Sequence, residues 1–228
     1  MDSPLIGAAI LFDLDGTLID TAPDLIRALN VVLAEAELPR VGAEHVRNLV
    51  GHGARALIER GAGLHGVRFD AHRLQSMVER FLEVYRSDIA ADSRLYPGVE
   101  DALRALQGEG ARLAVCTNKP QALTEPLLRS FDLAKYFSVI AGPEMVTQRK
   151  PHPAHLLEPL EKLGVSRRRA VMIGDSAPDI GAARAAEIPV ILVDFGYSQE
   201  PVADLGPDAV LSQFKALPKL AAKLLSRA

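Results

Sequence analysis

A short, unbroken apolar run recurs along this chain and ends each time against polar residues. The instances are Ala8-Ala9-Ile10-Leu11-Phe12, Leu113-Ala114-Val115-Cys116, Val139-Ile140, Val171-Met172-Ile173 and Val190-Ile191-Leu192-Val193. Apolar runs this short, without polar alternation, belong to strands buried on both faces. Between them lie stretches with helical spacing: Val99 to Glu109, Thr124 to Phe131, Ala154 to Leu163 and Ile180 to Ala186. Strands alternating with helices predict an α/β fold, an open parallel sheet with helices on both faces and a Rossmann-like core. Ligands of such sheets bind beyond the carboxyl ends of the strands. The polar residues that close each run are therefore where chemistry is to be sought.

Residues 20–92 have a different character. Leu25, Ile26, Leu29, Val32 and Leu33 recur at helical spacing, as do Leu74, Met77, Val78, Phe81, Leu82 and Tyr85, and no convincing strand interrupts them. This stretch is expected to be a helical domain inserted into an α/β core made of residues 1–19 and 93–228, with Pro97-Gly98 marking re-entry. The total of 228 residues accommodates one sizeable domain carrying such an insertion. A formal net charge of -3 argues against nucleic acid as a main partner. No stretch is apolar for long enough to span a bilayer, and the start of the chain does not read as a signal peptide. The single cysteine permits no internal disulfide, so the expected compartment is the cytoplasm. Monomer and homodimer are both open.

Four segments carry candidate chemistry. Asp13-Leu14-Asp15-Gly16-Thr17 places two carboxylates one residue apart at a strand end, where like charges need a cation or a shared proton. Magnesium suits oxygen ligands of this kind. Thr117-Asn118-Lys119 offers a hydroxyl and backbone donors for phosphoryl oxygens, and Lys150 before Pro151 offers a compact positive charge. Gly174-Asp175-Ser176-Ala177-Pro178-Asp179 could complete a metal site through Asp175, with Asp179 behind it or capping the following helix. Cys116 reads as a small buried strand residue and Arg167-Arg168-Arg169 as a solvated loop.

Together, in this order and spacing, Asp13-Leu14-Asp15-Gly16-Thr17, Thr117, Lys150 and Gly174-Asp175 with Asp179 resemble the haloacid dehalogenase-like hydrolase superfamily over nearly the whole chain. The resemblance implies a magnesium-dependent phosphatase acting on a small phosphorylated metabolite. Asp13 would be the nucleophile that becomes an aspartyl-phosphate, and Asp15 the acid and then the base. Asp13, the main-chain carbonyl of Asp15 and Asp175 would hold magnesium, and Thr117, Asn118 and Lys150 the phosphoryl group. Dehalogenases of the superfamily lack an acid at the place of Asp15, ion-pumping ATPases carry threonine there, and phosphomutases often carry valine at the place of Thr17. Hydrolysis is thereby preferred.

The helical insertion resembles the cap of one branch of the superfamily. Within it, Val50-Gly51-His52-Gly53 resembles the substrate-facing segment of phosphoglycolate phosphatases, as do Phe195-Gly196-Tyr197 and Asp208-Ala209-Val210 near the end. Gly51, His52 and Gly53 are thus candidate substrate contacts. That branch commonly has asparagine where His52 stands, so N-acetylmuramic acid 6-phosphate or a sugar phosphate is the alternative to 2-phosphoglycolate, with a phosphomutase behind both. Gly51-His52-Gly53-Ala54-Arg55-Ala56 also satisfies a dinucleotide fingerprint, but the residues before it look helical and no second strand follows. His152 and His155 lack a third ligand and make a poor zinc site.

Overall fold

The computed structural model describes residues 3–42, 45 and 53–226. Contacts divide the chain into two compact units, Met1–Ile19 with Leu95–Ala228, and Asp20–Arg94.

The first unit is built on a sheet of six parallel strands. Its members are β1 (Ala9–Phe12), β4 (Arg112–Cys116), β5 (Val139–Ala141), β6 (Ala170–Gly174), β7 (Val190–Val193) and β8 (Ala209–Leu211), in the order β5-β4-β1-β6-β7-β8. Two short strands, β2 (Ile19–Asp20) and β3 (Arg94–Leu95), form a separate two-stranded sheet. β1 lies centrally, with Phe12 in register with Val115 of β4 on one side and Ile173 of β6 on the other. The chain thus reverses its direction of travel across the sheet at β1, which opens a crevice at the carboxyl ends of β1, β4 and β6.

Both faces of the sheet are covered, which is why its strands lack alternation. Ala9, Leu11, Ala114, Cys116, Ala170, Met172, Val190 and Leu192 pack with Leu156, Leu160 and Leu163 of α6 (Ala154–Leu163) and with Ile180, Ala182, Ala183 and Ala186 of α7 (Ala177–Ala186). On the other face α4 (Val99–Gly108) packs on β4 and α8 (Leu217–Leu225) on β6. Cys116 is fully buried and unpaired, and burial pushes its thiol up to about 12, the state of an inert strand residue.

Two helices begin earlier than their apolar spacing predicts. The helix α5 (Gln121–Ser130) starts directly after Pro120, and α7 starts at Ala177. In α7 the reason is a capping box: the Asp179 carboxylate accepts from the Ser176 amide, so Asp179 of the motif already belongs to the first turn. The strand β8 and the helix α8 extend the core beyond the segments the periodicity identifies.

The second unit contains α1 (Ala22–Glu35), α2 (Gly53–Gly63) and α3 (Ala71–Ser87), each touching the other two. Its core joins Leu29, Val32 and Leu33 to Leu57, Ile58, Leu74, Met77, Phe81 and Tyr85, with the Phe81 and Tyr85 rings stacked at 6.1 Å. The buried Asp24 carboxylate accepts from the Ser93 amide at 2.8 Å, the Ser93 hydroxyl at 2.6 Å and the Asp92 amide at 3.1 Å. It thereby ties the start of α1 to the segment that leaves the unit. No described helix is long and apolar enough to cross a membrane.

Candidate active site

The carboxyl ends of the three central strands bring the sequence motifs together. Asp13 follows β1, and its amide donates to the Ile173 carbonyl of β6 at 2.9 Å. Thr117 follows β4, its amide bonded to the Ala141 carbonyl of β5 at 3.0 Å. Asp175 follows β6. Because parallel strands stop in register, three residues from distant parts of the sequence reach one edge.

Lys150 is the centre of the charge arrangement. Its side chain is 1% exposed, and its ammonium lies 3.0 Å from Asp13 Oδ1 and 2.6 Å from Asp179 Oδ1. Burial alone would depress this ammonium, but the Asp13 and Asp179 charges together hold it above the ordinary lysine range. Asp13 Oδ1 also accepts from the Leu14 amide at 2.8 Å. Burial pushes the Asp13 carboxyl up to about 6, against the lowering pull of Lys150 and with a further rise from Asp179. Burial, followed by the Asp179 and Asp13 charges, raises Asp175 well above the usual carboxylate range.

The Asp175 carboxylate is seated by two glycines. Its Oδ2 accepts from the Tyr197 amide at 2.7 Å, and the Thr17 hydroxyl approaches Oδ1 at 3.5 Å. Gly16 adopts a φ of +79°, and a Cβ there would stand 2.4 Å from Asp175 Oδ2. A Cβ on Gly196 would stand 2.3 Å from Asp175 Cβ. Both positions require the absence of a side chain.

Asp13, Asp175 and Asp179 each offer an oxygen within 4.8 Å of the others. Three carboxylates share this buried place with a single lysine ammonium, so negative charge is in excess, and an all-oxygen set suits a hard divalent cation. Asp179 differs from its companions, because Lys150 holds its Oδ1 while the Asp175 amide, Ser176 amide and Ser176 hydroxyl hold its Oδ2. Its oxygens are committed to organising the loop, which leaves Asp13 and Asp175 as the side chains able to ligate.

The Asn118 side-chain amide donates to the Lys150 carbonyl at 3.0 Å, which ties the loop after β4 to the loop that carries Lys150. The Thr117 hydroxyl oxygen accepts from the Lys119 amide at 3.2 Å, which keeps its own proton available to donate. Gly53 opens α2 in the helical unit, whereas Gly51 and His52 lie outside the described residues.

Two participants have roles that the sequence motifs do not assign. Lys119 is buried, and its ammonium donates to both Asp15 oxygens at 3.1 Å. His155, also buried, accepts from the Lys150 amide at Nδ1 (3.0 Å) and donates from Nε2 to the Ala141 carbonyl (3.1 Å). Since Thr117 bonds the same carbonyl, one imidazole links the Thr117 and Lys150 loops. Burial and the nearby Lys150 charge pull His155 down to about 4, so the ring is neutral, with the proton on Nε2. The lysine that ends Thr117-Asn118-Lys119 and a histidine five residues after Lys150 are the signals in the sequence, and neither is specific.

A model of haloacid dehalogenase-like hydrolases matches residues 10–193. Among curated proteins, the phosphoglycolate phosphatase of Caulobacter vibrioides is 45% identical over 97% of this chain and 94% of its own length. That of Agrobacterium fabrum is 42% identical over 100% of this chain and 98% of its own. Among solved structures, a predicted phosphoglycolate phosphatase from Haemophilus somnus superposes with a TM-score of 0.88 at 31% identity, covering 95% of this chain and 98% of that one. CbbY from Rhodobacter sphaeroides, solved in complex with phosphate, gives 0.75 at 29% identity, covering 92% and 96%.

Proposed function

The chain belongs to the haloacid dehalogenase-like hydrolase family, and we propose that it is a cytoplasmic, magnesium-dependent phosphatase that hydrolyses 2-phosphoglycolate through an aspartyl-phosphate on Asp13. The observation that carries this reading is the buried gathering of Asp13, Lys150, Asp175 and Asp179 at one sheet edge, two residues from the carboxylate of Asp15. The names of the Caulobacter and Agrobacterium relatives support the choice of phosphoglycolate.

In the first step an oxygen of Asp13 attacks phosphorus while the bond to the leaving alkoxide breaks on the opposite side. Asp15 delivers a proton to that alkoxide. Water then attacks the same phosphorus and gives its proton to Asp15. The acyl-phosphate bond breaks, inorganic phosphate departs, and Asp13 returns as a carboxylate. The Thr117 hydroxyl and Lys150 ammonium hold the phosphoryl oxygens as charge redistributes. Asp13, the main-chain carbonyl of Asp15 and Asp175 would hold magnesium, which when bound offsets phosphate charge so that a carboxylate can approach. The helical insertion, residues 20–92, selects among leaving groups through Gly51, His52 and Gly53.

Phosphate release measured as kcat/KM across 2-phosphoglycolate, N-acetylmuramic acid 6-phosphate, sugar phosphates and pyrophosphate tests the assignment. Activity is expected to disappear with a chelator, return with magnesium, and fall by about 10⁴-fold or more in Asp13→Asn. Undiminished turnover by that variant would overturn the mechanism. A better rate on N-acetylmuramic acid 6-phosphate would move the substrate, and an isomerised phosphosugar without free phosphate would identify a mutase.

A further inference from the structure

The two reacting carboxylates are served by two different lysines. Asp13 is paired with Lys150, whereas Asp15 is held by Lys119, whose ammonium reaches both carboxylate oxygens at 3.1 Å. The Lys119 side chain is 3% exposed and that of Asp15 is 22% exposed, so the pair has a buried donor and an acceptor with one open side. Lys119 is also fixed along its backbone. Its amide donates to Thr117 Oγ1 at 3.2 Å, its carbonyl accepts from Thr124 Oγ1 at 3.1 Å, and Pro120 follows it into α5.

Stability is a poor explanation for this arrangement. Burying an ammonium costs several kcal/mol of hydration, and ion pairs of this kind seldom return a net gain over apolar packing. What a two-point contact does supply is orientation: donation to both oxygens fixes the carboxylate plane about the Cβ–Cγ bond. An acid that must meet a leaving oxygen gains from such fixing, since misplacement by about 1 Å costs on the order of 100-fold in rate. We propose that Lys119 is a positioning residue for Asp15, holding its carboxyl in the orientation that serves the leaving oxygen. The inference rests on the phosphatase reading above.

The test uses leaving groups that differ in their need for a proton. Three esters suffice: 2-phosphoglycolate, the uncharged-tail analogue 2-hydroxyethyl phosphate, and 4-nitrophenyl phosphate, whose phenolate departs unprotonated. In Lys119→Met, kcat/KM should fall by about 100-fold for both alkyl esters and change little for the nitrophenyl ester, which also reports that the variant is folded. In an Asp15→Asn background, Lys119→Met should add almost nothing, because a residue acting through Asp15 has nothing left to position. An equal loss on all three esters, or additive losses in the double variant, overturns the proposal. A loss confined to phosphoglycolate also overturns it, by making Lys119 a contact for the substrate carboxylate. Should Lys119→Met not accumulate, Lys119→Gln goes through the same panel. If the unaltered enzyme hydrolyses none of the esters, the phosphatase reading falls instead.

Discussion

His155 offers a quantitative test of how the phosphate-binding loops are joined. Its Nδ1 accepts the Lys150 amide and its Nε2 donates to the Ala141 carbonyl, so protonation at Nδ1 would set an N–H against an N–H. The ring's folded-state value is pulled from 6.5 to about 4. A depressed histidine means that the unfolded chain takes up the proton first, so stability is lost as the pH falls below 6.5 towards 4. Integrated from about pH 7.5 to about pH 4.5, the loss comes to roughly 2.5 kcal/mol. Asp13 works in the opposite sense. Its folded value of about 6 against 3.8 means that the metal-free protein gains stability as pH falls through that window. The unaltered protein alone would therefore show a blurred profile. Comparison with His155→Gln, which cannot take up a proton, isolates the histidine. At about pH 7.5 the variant should be less stable by about 1–3 kcal/mol. That gap should close by roughly 2.5 kcal/mol at about pH 4.5, read from urea midpoints in the presence of a chelator. A gap independent of pH would refute the buried neutral imidazole.

Gly16→Ala should displace the Asp175 carboxylate that a new methyl group would meet at 2.4 Å, weakening the apparent affinity for magnesium by about 10- to 100-fold in a titration of activity against metal. Asp24→Asn should lower the stability of the helical unit by about 2 kcal/mol, because an uncharged amide cannot match a carboxylate that accepts from the Ser93 and Asp92 amides and the Ser93 hydroxyl. Amide exchange in α1 and in residues 88–93 reads that loss, and unchanged protection would count against it.

The sheet could be read from the sequence because β1, β4, β6 and β7 are covered on both faces, which turns a strand into an unbroken apolar run. The helix starts were harder to place. In α7 the residues that cap the helix are the same Ser176 and Asp179 that form the motif, so the polar stretch conceals the first turn. Asp13, Lys150, Asp175 and Asp179 could be anticipated as neighbours because Asp13 and Asp175 follow strands, Asp179 stands in the first turn of a helix and Lys150 lies in the loop ahead of another. Lys119 and His155 could not, since their value lies in partners, Asp15 and Ala141, whose distance in sequence carries no periodic signal. His155 spends both ring nitrogens on backbone groups. The Asn118 side chain braces the Lys150 carbonyl, a contact between loops that the sequence motif does not show.

The central place of β1 has a consequence for how the molecule is made. Asp13 is synthesised ahead of its neighbours across the sheet, since β4 and β6 emerge only about a hundred and about a hundred and sixty residues later. Until Asp175 has left the ribosome, the growing polypeptide holds a potential nucleophile without the two carboxylates, Asp175 and Asp179, that gather around it. A product that stalls before β6 therefore lacks both of those carboxylates, and the cluster can close only when β6 pairs with the first strand.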